Sequence, residues 1–145
     1  MNDLQNGIAW RESYRLGDER VDSQHYQIFA LLSDLVSSCQ DGSNYARLHE
    51  TLDFLVNYTV KHFYDEESLQ IQYNYPGYRR HKQQHDDFKV TVGEIVKKFD
   101  ANESSAELAN DVNKIIVRWL ITHITQEDMK VGKHMREAKQ RELFH

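Results

Sequence analysis

Residues 48–73, LHETLDFLVNYTVKHFYDEESLQIQY, place core-type side chains at alternating steps of three and four. This spacing is typical of one face of a long α-helix. The residues on that face are Leu48, Leu52, Leu55, Thr59, His62, Glu66, Leu69 and Tyr73. A histidine and a glutamate therefore lie about one turn apart on a mostly apolar stripe. The stretch predicts a helix that carries two potential metal ligands into a core.

Three further segments repeat this periodicity and complete the predicted fold. The first runs from about Asp22 to Gln40, and the third follows the break at 76–77. Asn44 is a candidate N-cap for the second helix, and Ser104 is one for the fourth. Short connections make neighbouring helices antiparallel. The sequence therefore predicts an all-α protein, an up-down-up-down antiparallel four-helix bundle.

The length of 145 residues suits one domain with one core. We expect an N-terminal arm over 1–21, the bundle over 22–131 and a C-terminal helical extension over 132–145. The extension is rich in lysine and arginine. These cations suit a solvated helix C-terminus, and a docking surface is the alternative interpretation.

Five histidines fall on the predicted core faces. They are His25, His62, His81, His85 and His123. At 1.5 Å per residue, all five lie roughly 25–31 Å from the bundle end that contains the first and third turns. They should form one layer, with Glu66 close by. The grouping predicts one metal ion on His25 and His62, and a second on the other three histidines.

Ligand type narrows the choice of metal. Burying several imidazoles and carboxylates without partners would cost several kcal/mol, and bound metal ions usually compensate for such burial. Imidazole suits iron, zinc, copper and nickel, and a set without cysteine excludes an iron–sulfur site.

A second carboxylate follows His123, where helical spacing favours Glu127 at four residues over Asp128 at five.

Three motifs, together with Gln24-His25, resemble the hemerythrin family, and most closely its single-domain bacterial members. The motifs are HFYDEE at 62–67, HKQQHDDF at 81–88 and WLITHITQED at 119–128. The resemblance selects Asp128 over Glu127. The metal ligands it implies are His25, His62, Glu66, His81, His85, His123 and Asp128.

The resemblance also implies a cofactor and a pocket. The cofactor is two non-haem iron ions per chain, bridged by Glu66, Asp128 and an oxo or hydroxo group. The iron held by His25 and His62 keeps an open position for dioxygen. The oxygen pocket that the resemblance implies consists of Phe63, Trp119, Leu120 and Ile124. From the residues alone, those four side chains could equally be ordinary bundle core.

The function implied is reversible dioxygen binding for carriage, storage or delivery, by a binding protein rather than an enzyme. Small anions such as azide are possible further ligands. The alternatives are a di-iron enzyme that acts on peroxide or nitric oxide, and a sensor of oxygen or iron. The sequence leaves any protein partner open.

Composition excludes other classes of protein. The net charge of −5 and pI near 5.9 argue against nucleic-acid binding, which depends on clustered cations. Cys39 is the single cysteine, so no disulfide can form within the chain. No stretch approaches the roughly 20 apolar residues that span a bilayer. The N-terminus also lacks an apolar signal segment, so we expect a cytoplasmic protein without membrane insertion.

Overall fold

The computed structural model describes residues 8–40, 45–100 and 106–143 of the chain. Three of its helices are α1, Glu19–Gln40; α2, Tyr45–Gln72; and α3, Tyr78–Asp100. Together with a fourth helical segment they form the predicted bundle, so the predicted all-α fold class is confirmed. None of the described helices combines the length and apolarity needed to cross a membrane.

The fourth segment is a continuous helical path with two π-helical stretches. Its α-helical parts are α4, Ala106–Asp111; α5, Arg118–Thr122; and α6, Asp128–Leu143. Between them lie two π-helical turns, Val112–Val117 and His123–Glu127. The path continues through α6 without a break, which confirms the predicted C-terminal helical extension.

The arm is fixed to the start of α1 by two aspartates. Asp18 caps the helix, because its Oδ1 accepts a hydrogen bond of 3.0 Å from the Val21 N–H. This cap starts α1 at Glu19, three residues before the predicted start. Asp22 accepts hydrogen bonds from the backbone N–H groups of Leu16, at 2.6 Å, and Gly17, at 3.1 Å. Gly17 has φ +102°, a conformation that glycine adopts easily. The predicted N-caps Asn44 and Ser104 lie outside the described residues.

Two apolar clusters fill the interior, and a polar layer separates them. The larger cluster contains buried side chains of all four helical segments, including Ile28, Phe63, Phe88 and Ile124. The smaller cluster joins the arm to α6, and its buried members are Leu16, Val21, Val131 and Met135. Along α1 the buried order is Val21, His25, Ile28, and the first buried apolar residue of α6 is Val131. The predicted ligands therefore occupy a layer whose backbone is held by apolar packing on both sides.

Candidate metal centre

All seven predicted ligands are buried in the polar layer, with at most 4% of any residue exposed. They fall into two overlapping groups, in each of which the ligand atoms lie within 4.8 Å of one another. The first group contains Glu66, His81, His85, His123 and Asp128. The second contains His25, His62, Glu66 and Asp128. Both groups share the same two carboxylates.

Glu66 divides its oxygens between the groups. Its Oε2 lies 2.9 Å from His62 Nε2 and 3.3 Å from His25 Nε2. Its Oε1 lies 2.6 Å from His81 Nε2 and 3.7 Å from His85 Nε2. A carboxylate with one oxygen on each side is placed to bridge two cations.

Asp128 repeats this arrangement from the opposite helix. Its Oδ2 lies 3.1 Å from His25 Nε2, while its Oδ1 lies 2.9 Å from His81 Nε2 and 3.2 Å from His123 Nε2. Despite these distances, neither oxygen makes a hydrogen bond of acceptable geometry with the described residues. The carboxylate lone pairs lie close to the histidine nitrogens but do not point toward them.

The histidine nitrogens also converge with few hydrogen-bond partners. His123 Nε2 lies 3.0 Å from both His81 Nε2 and His85 Nε2, and His62 Nε2 is buried without a hydrogen bond within the described part of the chain. Buried polar atoms without partners are costly, and metal coordination would satisfy these atoms. The donor set of imidazole nitrogens and carboxylate oxygens therefore fits metal ions.

A π-helical turn explains why Asp128 faces inward. In a regular α-helix, Asp128 would lie about 140° around the axis from His123. Here the Asp128 N–H donates to the carbonyl of His123, a bond across five residues. The wider turn absorbs one residue and returns Asp128 to the ligand face. Glu127 points outward instead, with an oxygen 3.3 Å from Lys130 Nζ and another 3.7 Å from an Arg80 nitrogen.

Two groups outside the ligand set orient histidine rings. His85 Nδ1 lies 2.8 Å from Glu67 Oε2, and His62 Nδ1 lies 2.7 Å from Gln24 Oε1. Such contacts hold each ring with Nε2 toward the metal position. Neither Gln24 nor Glu67 was predicted to have a functional role. The one sequence feature that could have indicated such a role is that each residue lies next to a predicted ligand, His25 or Glu66, in a predicted helix.

Charge is balanced within the layer. Burial alone would lower the pKa of His25 and His81, but the carboxylates of Asp128 and Glu66 outweigh burial and raise these pKa values to about 9 and about 10. Burial lowers the pKa of His62 and of His85. Burial also opposes ionisation of Glu66 and Asp128, but the surrounding imidazoles hold both pKa values below their usual range. Without metal, two imidazolium ions can therefore neutralise two carboxylates.

The four predicted pocket residues lie on helical segments that carry the ligands, and two of them stack on ligand rings. Phe63 stacks on His85, with ring centroids 3.8 Å apart, and Trp119 stacks on His123 at 4.4 Å. Leu120 and Ile124 are each 1% exposed. Phe63 and Leu120 also line an apolar cavity of about 10 Å³, roughly enough for one water-sized molecule. The two aromatic rings thus cover the three-histidine group.

Two other histidines lie apart from the layer. His49 stacks on Phe99 at 5.5 Å, and His134 Nε2 lies 2.8 Å from the carbonyl oxygen of Tyr73. Neither belongs to the two groups of ligands found among the described residues.

Comparison with known proteins agrees with this geometry. Residues 16–134 match the family model described as the Hemerythrin HHE cation binding domain. The chain is 31% identical to a bacteriohemerythrin of Pseudomonas paraeruginosa over 121 residues, 83% of this chain and 76% of that protein. It is 31% identical to a myohemerythrin of Sipunculus nudus over 122 residues, 84% of this chain and 88% of that protein.

A solved structure resembles the fold as well. It is a crystal structure of a hemerythrin carrying a leucine-to-alanine substitution, with a TM-score of 0.75 and 25% identity, covering 87% of this chain and 95% of that one. The family match includes every one of the seven clustered side chains. The chain belongs to the hemerythrin family of HHE cation-binding domains.

Proposed function

We propose that this protein binds two iron ions and uses them to bind dioxygen reversibly. The observation that carries the proposal is the sharing of Glu66 and Asp128 between the two ligand groups, with one oxygen of each carboxylate on each side. Shared carboxylates hold two cations close enough to act on one small molecule. Relatives named bacteriohemerythrin and myohemerythrin support the same function.

The composition of the ligand set supports iron and reversible binding. Ferritin-like di-iron proteins use four glutamates and two histidines, whereas this layer has five histidines and two carboxylates. Fewer anionic ligands stabilise highly oxidised iron less well, which favours binding over oxygenation. Two ferrous ions in these positions would supply the two electrons that dioxygen accepts when it binds.

The number of protein ligands supports different tasks for the two groups. His81, His85 and His123 with the two carboxylates offer five protein ligands, whereas His25 and His62 with the same carboxylates offer four. The position with fewer protein ligands is the one with room for a small molecule. The stacked rings of Phe63 and Trp119 and the buried Leu120 place apolar groups against the layer, which would limit the access of protons and nucleophiles on that side.

An oxygenation cycle tests this function. The protein is loaded with ferrous iron without air, exposed to air and then purged with inert gas. We expect two irons per chain and a visible charge-transfer band that appears with air and disappears on purging. His25→Ala should abolish the cycle, and His134→Ala, a histidine outside the layer, should preserve it. Irreversible oxidation with turnover of added peroxide would contradict the proposal and indicate an enzyme.

A further inference from the structure

A hydrogen-bonded relay connects His62 to the edge of the bundle. His62 Nδ1 lies 2.7 Å from Gln24 Oε1, and Gln24 Nε2 donates to Asp65 Oδ2 at 2.7 Å. Gln24 belongs to α1, and the other two residues belong to α2, so the relay crosses between helices. Gln24 is 9% exposed, while Asp65 is half-buried.

The direction of this relay is set at its outer end. An amide can present either its oxygen or its NH₂ group to His62, and a carboxylate can only accept. Because Asp65 accepts from Nε2, the amide must turn its oxygen toward His62. His62 must then carry its proton on Nδ1, which leaves the Nε2 lone pair free. A reversed amide would place an N–H against Nδ1 and favour protonation of Nε2, the atom beside Glu66.

The second relay is built differently. Glu67 Oε2 contacts His85 Nδ1 directly at 2.8 Å, and a carboxylate needs no orienting partner because both of its oxygens accept. The two-histidine group therefore depends on an outer residue in a way that the three-histidine group does not.

We propose that Asp65 is a positioning residue of the two-histidine group, which acts through Gln24 to hold His62 in the tautomer that leaves Nε2 free for metal. This role rests on the metal site proposed above. Asp65 is not among the grouped ligands of the described chain, and its carboxylate bonds the Gln24 amide. Its effect on His62 therefore passes through the orientation of that amide.

The role predicts the effects of two substitutions. Asp65→Asn keeps the size of the side chain but supplies both a donor and an acceptor, so the Gln24 amide can take either orientation. The double variant Gln24→Glu with Asp65→Asn reverses only the outer hydrogen bond. The new carboxylate at position 24 would still accept from His62, and the new amide at position 65 would donate to that carboxylate. Asp87→Asn is a matched control, because Asp87 accepts a 2.8 Å bond from Gln83 on the exposed surface of α3.

The first measurement is the tautomer of His62 in metal-free protein, read from long-range ¹H–¹⁵N spectra of the imidazole. The Nδ1–H tautomer should dominate in the parent, in Asp87→Asn and in the double variant. Asp65→Asn should show a mixture. A merely structural role of Asp65 would alter stability and leave the tautomer unchanged. An unchanged tautomer in folded Asp65→Asn would therefore overturn the proposal.

The second measurement is a titration of metal-free protein with Zn²⁺. We expect two ions in each protein, with the affinity of one ion weakened roughly 10-fold in Asp65→Asn and restored in the double variant. Equal affinities in the parent and Asp65→Asn would contradict the role of Asp65. If the parent fails to bind two ions, the metal site itself is wrong, and the tautomer measurement still tests the relay.

Discussion

At the scale of single residues, Asp128 requires the most specific backbone and side-chain geometry in the site. Its two oxygens face different ligand groups, and its backbone N–H bonds the carbonyl of His123. Glu127, its neighbour, lies beside Lys130 and Arg80 instead. Adjacent carboxylates of similar chemistry thus occupy opposite environments, which allows a direct comparison.

Alanine substitution at the two positions should separate their roles. We expect Asp128→Ala to lose one or both irons, because each group loses an anionic ligand. Glu127→Ala should retain two irons, since exposed ion pairs contribute little to stability. Iron analysis of the two purified variants provides the measurement. Normal loading of Asp128→Ala together with loss from Glu127→Ala would reverse the assignment.

Leu120 tests the apolar cover of the site at the same scale. Leu120→Ala should cost about 2–4 kcal/mol of stability and enlarge the cavity that the side chain lines. We expect the oxygenated protein to convert to the oxidised form faster, and azide to enter faster, because water and anions gain a path.

Leu32→Ala is the matched control, since Leu32 is similarly buried and does not line that cavity. The decay of the visible band should be compared at equal iron loading and below the unfolding range of both variants. Equal decay rates in the two variants would mean that Leu120 contributes packing alone.

At the scale of elements, the π-helical turn at His123–Glu127 sets the register of the fourth segment. The turn holds one residue more than an α-helical turn while the flanking parts keep their faces toward the core. Removal of the exposed Gln126 should convert it to a regular turn, with His123 and Asp128 then four residues apart on one face. We expect this deletion to fold cooperatively and to bind two irons.

Deletion of the exposed Lys61 provides the control. It lies in the regular α2 helix, where loss of one residue rotates His62 and Glu66 by about 100° relative to the preceding turns. That variant should lose iron and stability. If both deletions abolish iron binding equally, the π-helical turn is not what brings His123 and Asp128 onto one helix face.

The elements also show what could be predicted from the sequence. Periodicity predicted the helices and the burial of the five histidines, because each side chain follows the apolar stripe of its own helix. It could not place Asp128, because a regular 100° step fails across a π-helical turn; the family resemblance supplied that residue. The relay from Asp65 to His62 was missed, since it joins residues about 40 positions apart through a helix contact.

At the scale of the whole molecule, the polar metal layer interrupts the apolar core, and the two apolar clusters hold its helices in place from either side. A Cβ placed on Gly132 would lie 3.1 Å from the Cα of Leu16, so the arm and α6 approach closely below the layer. The arm and the first turns of α6 thus pack together beside the layer. Without metal, the layer depends on its own charge balance.

Removal of metal should therefore reduce stability in a pH-dependent manner. Metal that binds only the folded state stabilises it by mass action, so chelation should lower the melting temperature by several degrees. His25 and His81 stabilise the metal-free fold fully below their ordinary pKa of 6.5, and this contribution is lost as the pH rises through about 9 to 10. The lowered pKa values of His62 and His85 act oppositely, because their protonation below pH 6.5 favours unfolding.

The metal-free protein should consequently be most stable near pH 6.5. Glu66 and Asp128 add a further loss in acid, since their folded-state pKa values lie below the ordinary ones of 4.5 and 3.8. Thermal melts of verified metal-free protein across this range provide the measurement. A monotonic rise in stability from pH 6.5 to 10 would contradict the charge balance.

Anomalous diffraction at the iron edge from crystals of iron-loaded protein tests the central claim most directly. Two iron peaks are expected inside the polar layer, one among the Nε2 atoms of His81, His85 and His123 and one between those of His25 and His62. Glu66 and Asp128 should each have one oxygen on each iron. A single peak, or two peaks that do not share both carboxylates, would contradict a bridged pair of metal ions.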